Sequence, residues 1–519
     1  MPRKSAMLEQ AQPVAMVAAI AAVLSLGKFW LTGHIGLDLY DEGYLWYGVQ
    51  GAAGGGIPIR DFQSYDPGRY YWGAAWSLLL GDGILALRLS TALFQTLGLT
   101  CGLLAVRRAT TRPEALLLVG FVLLAWMSPR HKLFEPSLAM MAVLALTRLI
   151  EHPSAGRHLV TGIFVGLAAV MGRNHGLYCA LASLLVFGLF LSKKRHAYPL
   201  KNFAVWSGGV VIGFSPVLAF ALFAPGFTES FVRSLVESRL LPFPIPWPWR
   251  LLPLPDLDLI PILVLWLTSL VYVVMTVGYP LGLWIAWRTP REDLRSRALL
   301  IAAVCVGIFY AHHAYSHAGL GHLAQAIHPL LLALFALPAA LGLGRKHARS
   351  WTIWASLGTT ATLVAIGVNT QSLRSYGIEL GGEAPEFRIY LAAGDRLLVA
   401  TEMAHDLELL ERTIAERVGA DAPLLMIPYR ATYYPLLHRR APVWGIYFLP
   451  WAREQTDEEM IRSLEEQGVD WVLYVNEQLA GVESNFPTLR PRFWEYLHAE
   501  FRPVRGVDLP RGHLLLERR

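Results

Sequence analysis

The chain has 519 residues, 54% of them hydrophobic and only 16% charged, with a mean hydropathy of +0.40. That balance excludes a soluble enzyme of ordinary surface polarity and describes a membrane protein with a polar appendage. The formal net charge of +6 falls in short loops between apolar runs, not on one solvated face, and so gives no footing for nucleic-acid binding.

Taken in chain order, a charged start (MPRKSAM) leads into an apolar run from Pro13 to Thr32 without a convincing cleavage site, and reads as a retained signal anchor. Further runs long enough to cross a hydrocarbon core lie near 84–106, 133–150, 176–192, 203–224, 260–287, 298–314, 323–344 and 351–369. Two shorter ones, 114–128 and 159–172, bring the expected total to about eleven crossings, against about nine without them. With both counted, the basic clusters at Arg3/Lys4, Arg107/Arg108/Arg112, Arg157, Lys193/Lys194/Arg195/Lys201, Arg288/Arg291/Arg295/Arg297 and Arg345/Lys346/Arg349 all fall on one side. The positive-inside rule makes that side cytoplasmic, in the inner or plasma membrane, with the N-terminus on it. The loops at 34–70, 129–132, 173–175, 225–257 and 312–322 then face outward. Cys101, Cys179 and Cys305 lie in apolar stretches as small hydrophobes and suggest no disulfide framework.

After residue 370 the pattern changes. Leu424–Pro428 and Trp471–Val475 read as short buried strands, and Asp457–Gln467 between them has helical spacing with an acid-rich first turn. Strand–helix–strand alternation predicts a small α/β domain near 385–519, with Gly381-Gly382 as a hinge. The expected organisation is a polytopic α-helical membrane domain over 1–369, carrying the outer loop 34–70, and a C-terminal extracytoplasmic α/β domain over 370–519.

The first outer loop concentrates the chemistry. It holds Asp38, Asp41, Glu42, Asp61 and Asp66 with Arg60 and Arg69. Carboxylates there suit deprotonation of an acceptor hydroxyl or binding of a divalent cation, and arginines suit bidentate capture of phosphate. Its aromatics, Tyr40, Tyr44, Trp46, Tyr47, Tyr65, Tyr70, Tyr71 and Trp72, suit a headgroup-level belt or the stacking of a sugar. An acidic pair at a bilayer edge is costly unless it has a use, which singles out Asp41.

The segment Asp41-Glu42, Gly56-Ile57-Pro58, Asp61-Phe62, Asp66-Pro67-Gly68 and Tyr70-Tyr71-Trp72 resembles membrane glycosyltransferases of the GT-C class. The likeness is to the branch of protein mannosyltransferases, aminoarabinose transferases and rhizobial core-sugar transferases. Gly172-Arg173-Asn174-His175-Gly176 and Gly321-His322-Leu323 are similar too, as is the plan of many spans with an outer C-terminal domain. The resemblance implies transfer of a sugar from a polyprenyl-phosphate carrier to an extracytoplasmic glycan, lipid or protein, with inversion at the anomeric carbon. It implies that Asp41 acts as general base or positions the acceptor, with Glu42 supporting it or joining an optional cation. A partly desolvated carboxylate is a competent base near neutral pH. No cofactor is required, and a magnesium or manganese ion is optional. In related sequences Arg and Asp often precede the histidine matching His322; this chain has His317 and Gly319 there, which weakens the transferred role.

The outer cations available to the donor phosphate are Arg60, Arg69, Arg130, Lys132 and Arg173, with His322 beside them in role. Tyr44, Asp61, Asp66 and Asn174 are the expected sugar or acceptor contacts. His312, His313, His317, His322 and His328 crowd one outer edge, but no carboxylate or cysteine joins them locally, so hydrogen-bonded interfacial roles are expected rather than zinc. The 225–257 loop combines an amphipathic helix with a Pro/Trp run and is expected in the interface plane, with Trp247 and Trp249 at headgroup depth. Tyr429, Arg430, Tyr433 and Tyr434 suit either packing or an acceptor glycan. Besides the transferase, a lipid-linked sugar flippase or other transporter and a catalytically silent envelope-assembly protein stay open. The spans carry few ionisable groups at mid-depth, which suits catalysis at one face better than transport.

Overall fold

The computed structural model describes residues 2–193, 200–236, 259–316, 318–341, 354, 357–358, 386–449, 455–477 and 485–519. His317, Trp247, Trp249, Lys194, Arg195, Arg345, Lys346, Arg349, Gly381, Gly382 and almost all of the expected span 351–369 lie outside them. The chain resolves into two compact units, one of residues 1–32, 91–218 and 242–372, the other of 33–90, 219–241 and 373–519.

The helices at the apolar runs are α1 (Pro2–Thr32), α4 (Ile84–Val106), α5 (Pro113–Trp126), α6 (Phe134–Glu151), α7 (Ala155–Met171), α8 (Arg173–Ser192), α9 (Leu200–Phe223), α11 (Leu259–Arg288), α12 (Ala298–Ser316), α13 (Leu320–Ala326) and α14 (His328–Ala340). Among the described residues seven helices are long and apolar enough to span, and α13 with α14 forms a further pair bent by 53°. The two short runs also fold as apolar helices, α5 and α7. The chain is thus a multi-pass membrane protein, with a helix at each expected run that the structure describes.

In the first unit α12 is the hub, packed against α6, α8, α11, α13 and α14. Its residues from Ala298 to Gly307 are buried on every side, as an all-round apolar helix requires. A second contact depends on glycine. Gly162 and Gly166 of α7 face Gly209 and Gly213 of α9, two small-xxx-small pairs that bring backbones together. A Cβ on Gly162 would lie 2.1 Å from the Trp206 carbonyl oxygen, and one on Gly213 2.1 Å from that of Ile163. The expected outer loop 173–175 is instead the first turn of α8, because the break between α7 and α8 is the single extended residue Gly172.

The second unit holds α2 (Asp41–Ala53), α3 (Pro67–Leu80), α10 (Phe227–Val236) and an α/β domain. Strands β3 (Leu424–Ile427), β4 (Trp471–Val475), β5 (Phe501–Pro503) and β6 (His513–Arg518) form one sheet in the order β3-β4-β6-β5. Strands β3 and β4 are parallel, and the remaining pairs are antiparallel. The two expected strands are β3 and β4, and the helix between them, Asp457–Glu466, starts with a capping box from Thr456 and Glu459. Strands β1 (Phe387–Ala392) and β2 (Asp395–Ala400) form a separate hairpin covered by the helix Thr401–Arg417. The domain core gathers Leu425, Ile427, Phe448, Met460, Val472, Phe486, Phe493 and Leu516.

Candidate functional site

The acidic pair stands at the start of α2, and local chemistry explains why the helix begins there. The Asp38 carboxylate accepts from the Tyr40 amide at 2.8 Å, an Asx turn that reverses the chain into Asp41. Asp41 and Glu42 fill the first turn, where the helix dipole favours negative charge. Gly43 follows because Thr432 closes on the helix: a Cβ there would lie 2.0 Å from Thr432 Oγ1. That hydroxyl donates to the Asp38 carbonyl at 2.6 Å.

The two carboxylates have different surroundings. Glu42 is buried and gripped by Arg88, whose Nε donates to Oε1 at 2.8 Å and Nη2 to Oε2 at 2.7 Å. The same guanidinium donates to the Gly33 and Gly36 carbonyls at 2.6 and 2.8 Å. This bidentate pair fastens the chain that enters α2. Asp41 is half-buried and accepts from the Tyr447 hydroxyl at 3.2 Å.

Around Asp41 the structure assembles tyrosines from distant parts of the chain. Tyr447 packs on Tyr44 (ring centroids 4.4 Å) and on Tyr429 (4.5 Å). Tyr44 meets Tyr65 edge-on at 4.9 Å, and the Arg69 guanidinium lies 4.9 Å from the centre of the Tyr65 ring. Tyr40 packs on Tyr429 and lies under Arg430, while its hydroxyl and Arg430 both reach Glu477. Burial, then the nearby Asp41 charge, raises Tyr447 well above the ordinary tyrosine range, and the same two causes raise Tyr429. These phenols therefore stay protonated and act as donors and stacking faces beside the Asp41 carboxylate.

Gln63 ties the two segments together. Its Oε1 accepts from the Ile446 and Tyr447 amides at 2.9 and 2.7 Å, and its Nε2 donates to the Tyr447 carbonyl at 3.2 Å. Trp444 Nε1 donates to the Ile59 carbonyl at 3.0 Å. The C-terminal domain thus holds the first loop in place and supplies Tyr447 to Asp41.

The other expected residues of this unit fall as follows. Arg60 is bound through two nitrogens to Asp61 at 2.6 and 3.0 Å, and Asp61 also accepts from the Ile57 amide. Burial pushes the Asp61 carboxyl up, but the Arg60 and Ile57 hydrogen bonds outweigh it and the net shift is downward. Asp66 is buried at the N-cap of α3, with Pro67 in the first helical position that suits it. Arg69 is buried. Of the loop aromatics, Trp46 and Tyr70 are wholly buried. They are core side chains, not belt residues, because α2 and α3 pack face to face and inter the aromatic side of each.

In the first unit Arg173 opens α8, Asn174 is exposed and His175 is buried. The rings of His175, His313 and His322 run in file, with centroids 5.6 and 5.4 Å apart. His312 Nδ1 bonds the Tyr178 hydroxyl at 2.8 Å, His313 Nε2 bonds Gln325 Oε1 at 3.0 Å and His328 Nε2 bonds the Leu123 carbonyl at 3.0 Å. Among the described residues no three His, Cys, Asp or Glu side chains gather as a ligand set for a cation.

Sequence reasoning did not find Arg88, Gln63 or Tyr447. Arg88 carried a usable signal, since it lies within an apolar span and needs an anionic partner there. Gln63 and Tyr447 carried none, because their roles depend on long-range docking.

No family model matches the chain, and no curated protein matches it. Among solved structures it is similar to ArnT from Cupriavidus metallidurans bound to undecaprenyl phosphate, with 16% identity, 97% of each chain covered and a TM-score of 0.55. It is similar also to the apo state of that protein, with 13% identity, 99% of this chain and 98% of the other covered, and a TM-score of 0.53. The chain has a GT-C-like fold over nearly its whole length.

Proposed function

We propose that this protein transfers a sugar from a polyprenyl-phosphate carrier to a glycan, lipid or protein acceptor on the extracytoplasmic face of the inner or plasma membrane, with its N-terminus in the cytoplasm. The observation that carries the reading is Asp41: a carboxylate held by the Tyr447 hydroxyl among protonated tyrosines, in a fold shared with a protein crystallised with undecaprenyl phosphate.

In this reaction an acceptor hydroxyl attacks the anomeric carbon of the donor as Asp41 takes its proton. The bond between that carbon and the phosphate oxygen breaks, and polyprenyl phosphate departs with the electron pair. Attack opposite the leaving group inverts the anomeric centre. Tyr65 is exposed and offers the sugar ring an apolar face with a polar edge, whereas Tyr44 is buried behind it against Tyr447 and supports it. Glu42 acts through Arg88, fixing the turn from which Asp41 projects. Arg60, Arg69 and Arg173 are the cations proposed for the donor phosphate, with His322; Arg60 is paired with Asp61 at 2.6 Å. Glu42, which the resemblance would have join an optional cation, has both oxygens engaged by Arg88, and no step is routed through a metal.

The test is transfer of label from radiolabelled polyprenyl-phosphate sugars in membranes carrying wild type or Asp41→Asn, with host lipid extract as acceptor. Transfer by wild type that disappears in the variant supports the reading. Unchanged transfer in Asp41→Asn at equal expression removes Asp41 as the base, and no transfer by wild type with any hexose or pentose donor removes the reaction.

A further inference from the structure

The hairpin of β1 and β2 has one face packed and one face bare. Tyr390, Ala392, Leu397 and Val399 are buried beneath the helix Thr401–Arg417, whereas Ile389 and Leu391 are 57% and 60% exposed. An alternating strand that leaves its large aliphatics outward departs from the usual polar outer face. A second apolar group stands at the end of α3, where Leu78 and Leu79 are 76% and 75% exposed. Groups of exposed large aliphatics of this kind mark an interaction surface.

The chain itself says what covers this face. After Leu80 the chain turns at Gly81, which has a positive φ of 92°, and enters the span α4 at Ile84. Leu78 and Leu79 are therefore within about two helical turns of a hydrocarbon boundary. The hairpin is bound to the same place: Asp395 accepts from the Leu85 amide at 2.9 Å, in the first turn of α4. Gly83 allows that approach, since a Cβ there would lie 2.2 Å from Asp395 Oδ2. On its other edge β2 exchanges hydrogen bonds with the residues just after α1: the Gly36 amide donates to the Leu398 carbonyl and the Leu398 amide to the His34 carbonyl, each at 2.8 Å. The hairpin is thus fastened next to the ends of two spans that meet the same leaflet.

We infer that the outer face of this hairpin, with the end of α3, rests in the lipid headgroup region of that leaflet and seats the C-terminal domain on the bilayer. The occupant is lipid. The depth is interfacial, because β1 is an edge strand among the described residues and its outward amides and carbonyls need water or headgroups as partners. Arg396, exposed and directly opposite Leu391 in the ladder, is placed to reach lipid phosphate while its stem covers apolar surface. This seating does not depend on the transfer reaction.

Nitroxide labels at Ile389→Cys and Leu391→Cys, and at Glu416→Cys on the exposed side of the covering helix, test it in full-length protein in phosphatidylethanolamine/phosphatidylglycerol nanodiscs. Cys101, Cys179 and Cys305 are replaced by alanine in all three. Labels at 389 and 391 should be relaxed more by oxygen than by a water-soluble nickel chelate, and the label at 416 the reverse. Labels at 389 and 391 that behave like the one at 416 would overturn the inference. So would labels shielded from both reagents, which would mean a protein surface, such as a second copy pairing on β1, covers the face.

Discussion

At the scale of single residues the site turns on how two adjacent carboxylates are partnered. Asp41 meets a neutral donor, Tyr447, and Glu42 meets a guanidinium. Removing the Tyr447 hydroxyl leaves the stacked rings in place and deletes one hydrogen bond to a charged group, worth about 1.5–3 kcal/mol. Tyr447→Phe is therefore expected to lower kcat by roughly ten- to a hundred-fold with the donor KM little changed, as steady-state kinetics in nanodiscs would show. Arg173→Ala is expected to act in the opposite sense, raising the donor KM by roughly tenfold or more through loss of a charge-assisted contact. A pH effect belongs to this scale as well. Burial, followed by the Arg430 charge, lowers the pKa of His513, which shares a 2.8 Å hydrogen bond with Tyr433 and faces Glu477 as well. A histidine depressed in the folded state contributes stability that is complete above its ordinary value near 6.5 and is lost as pH falls through the folded one. The melting temperature should drop on acidification below about 6.5, and His513→Gln should flatten that slope. Asp41 was legible in the sequence, since it is an acid at the edge of a span. Tyr447 was not, because nothing local distinguishes it from any other aromatic in a loop.

At the scale of elements, two contacts decide whether the helices meet. The first is the buried Arg88–Glu42 pair, which joins the start of α4 to the start of α2 and closes the carbonyls of Gly33 and Gly36. Arg88→Ala strands a buried carboxylate and should cost about 3–5 kcal/mol, read as thermal unfolding in detergent. The double change Arg88→Met with Glu42→Leu should recover only part of that loss, because the two glycine carbonyls remain without their donor. The second is the crossing of α7 and α9 through paired glycines. Gly213→Leu forces a side chain against the Ile163 carbonyl and should destabilise by about 1–3 kcal/mol or more, whereas the change at Gly208, which faces open space, should be tolerated. Apolar length and basic-residue placement were enough to expect α5 and α7 as real helices despite their shortness. The start of α8 at Arg173 was harder to see, since a single extended glycine is too small a break to register in a hydropathy pattern.

At the scale of the whole molecule, the loop over 34–70 and the C-terminal α/β domain belong to one compact unit, and the strap 219–236 joins them. Tyr71 stacks on Phe220 at 5.5 Å, Arg60 donates to the Pro225 carbonyl at 3.4 Å and Arg233 pairs with Glu459 at 3.0 Å. The α/β domain was legible as two strands and a helix with an acid-rich first turn, but its hold on residues 33–90 was not. Hydrogen bonds such as Gln63 to Tyr447 join residues 384 positions apart and leave no periodic trace. The consequence is that the domain completes the surroundings of Asp41, and the chemistry should not survive its removal. The most direct test of that chemistry is to count products in one vessel: polyprenyl phosphate released and sugar bound to acceptor, using purified protein in nanodiscs loaded with a polyprenyl-phosphate sugar. Release and incorporation should rise together, one to one, in wild type and vanish together in Asp41→Asn. Donor that moves between leaflets with its sugar still attached, and no polyprenyl phosphate released, would contradict a transferase and identify a transporter instead.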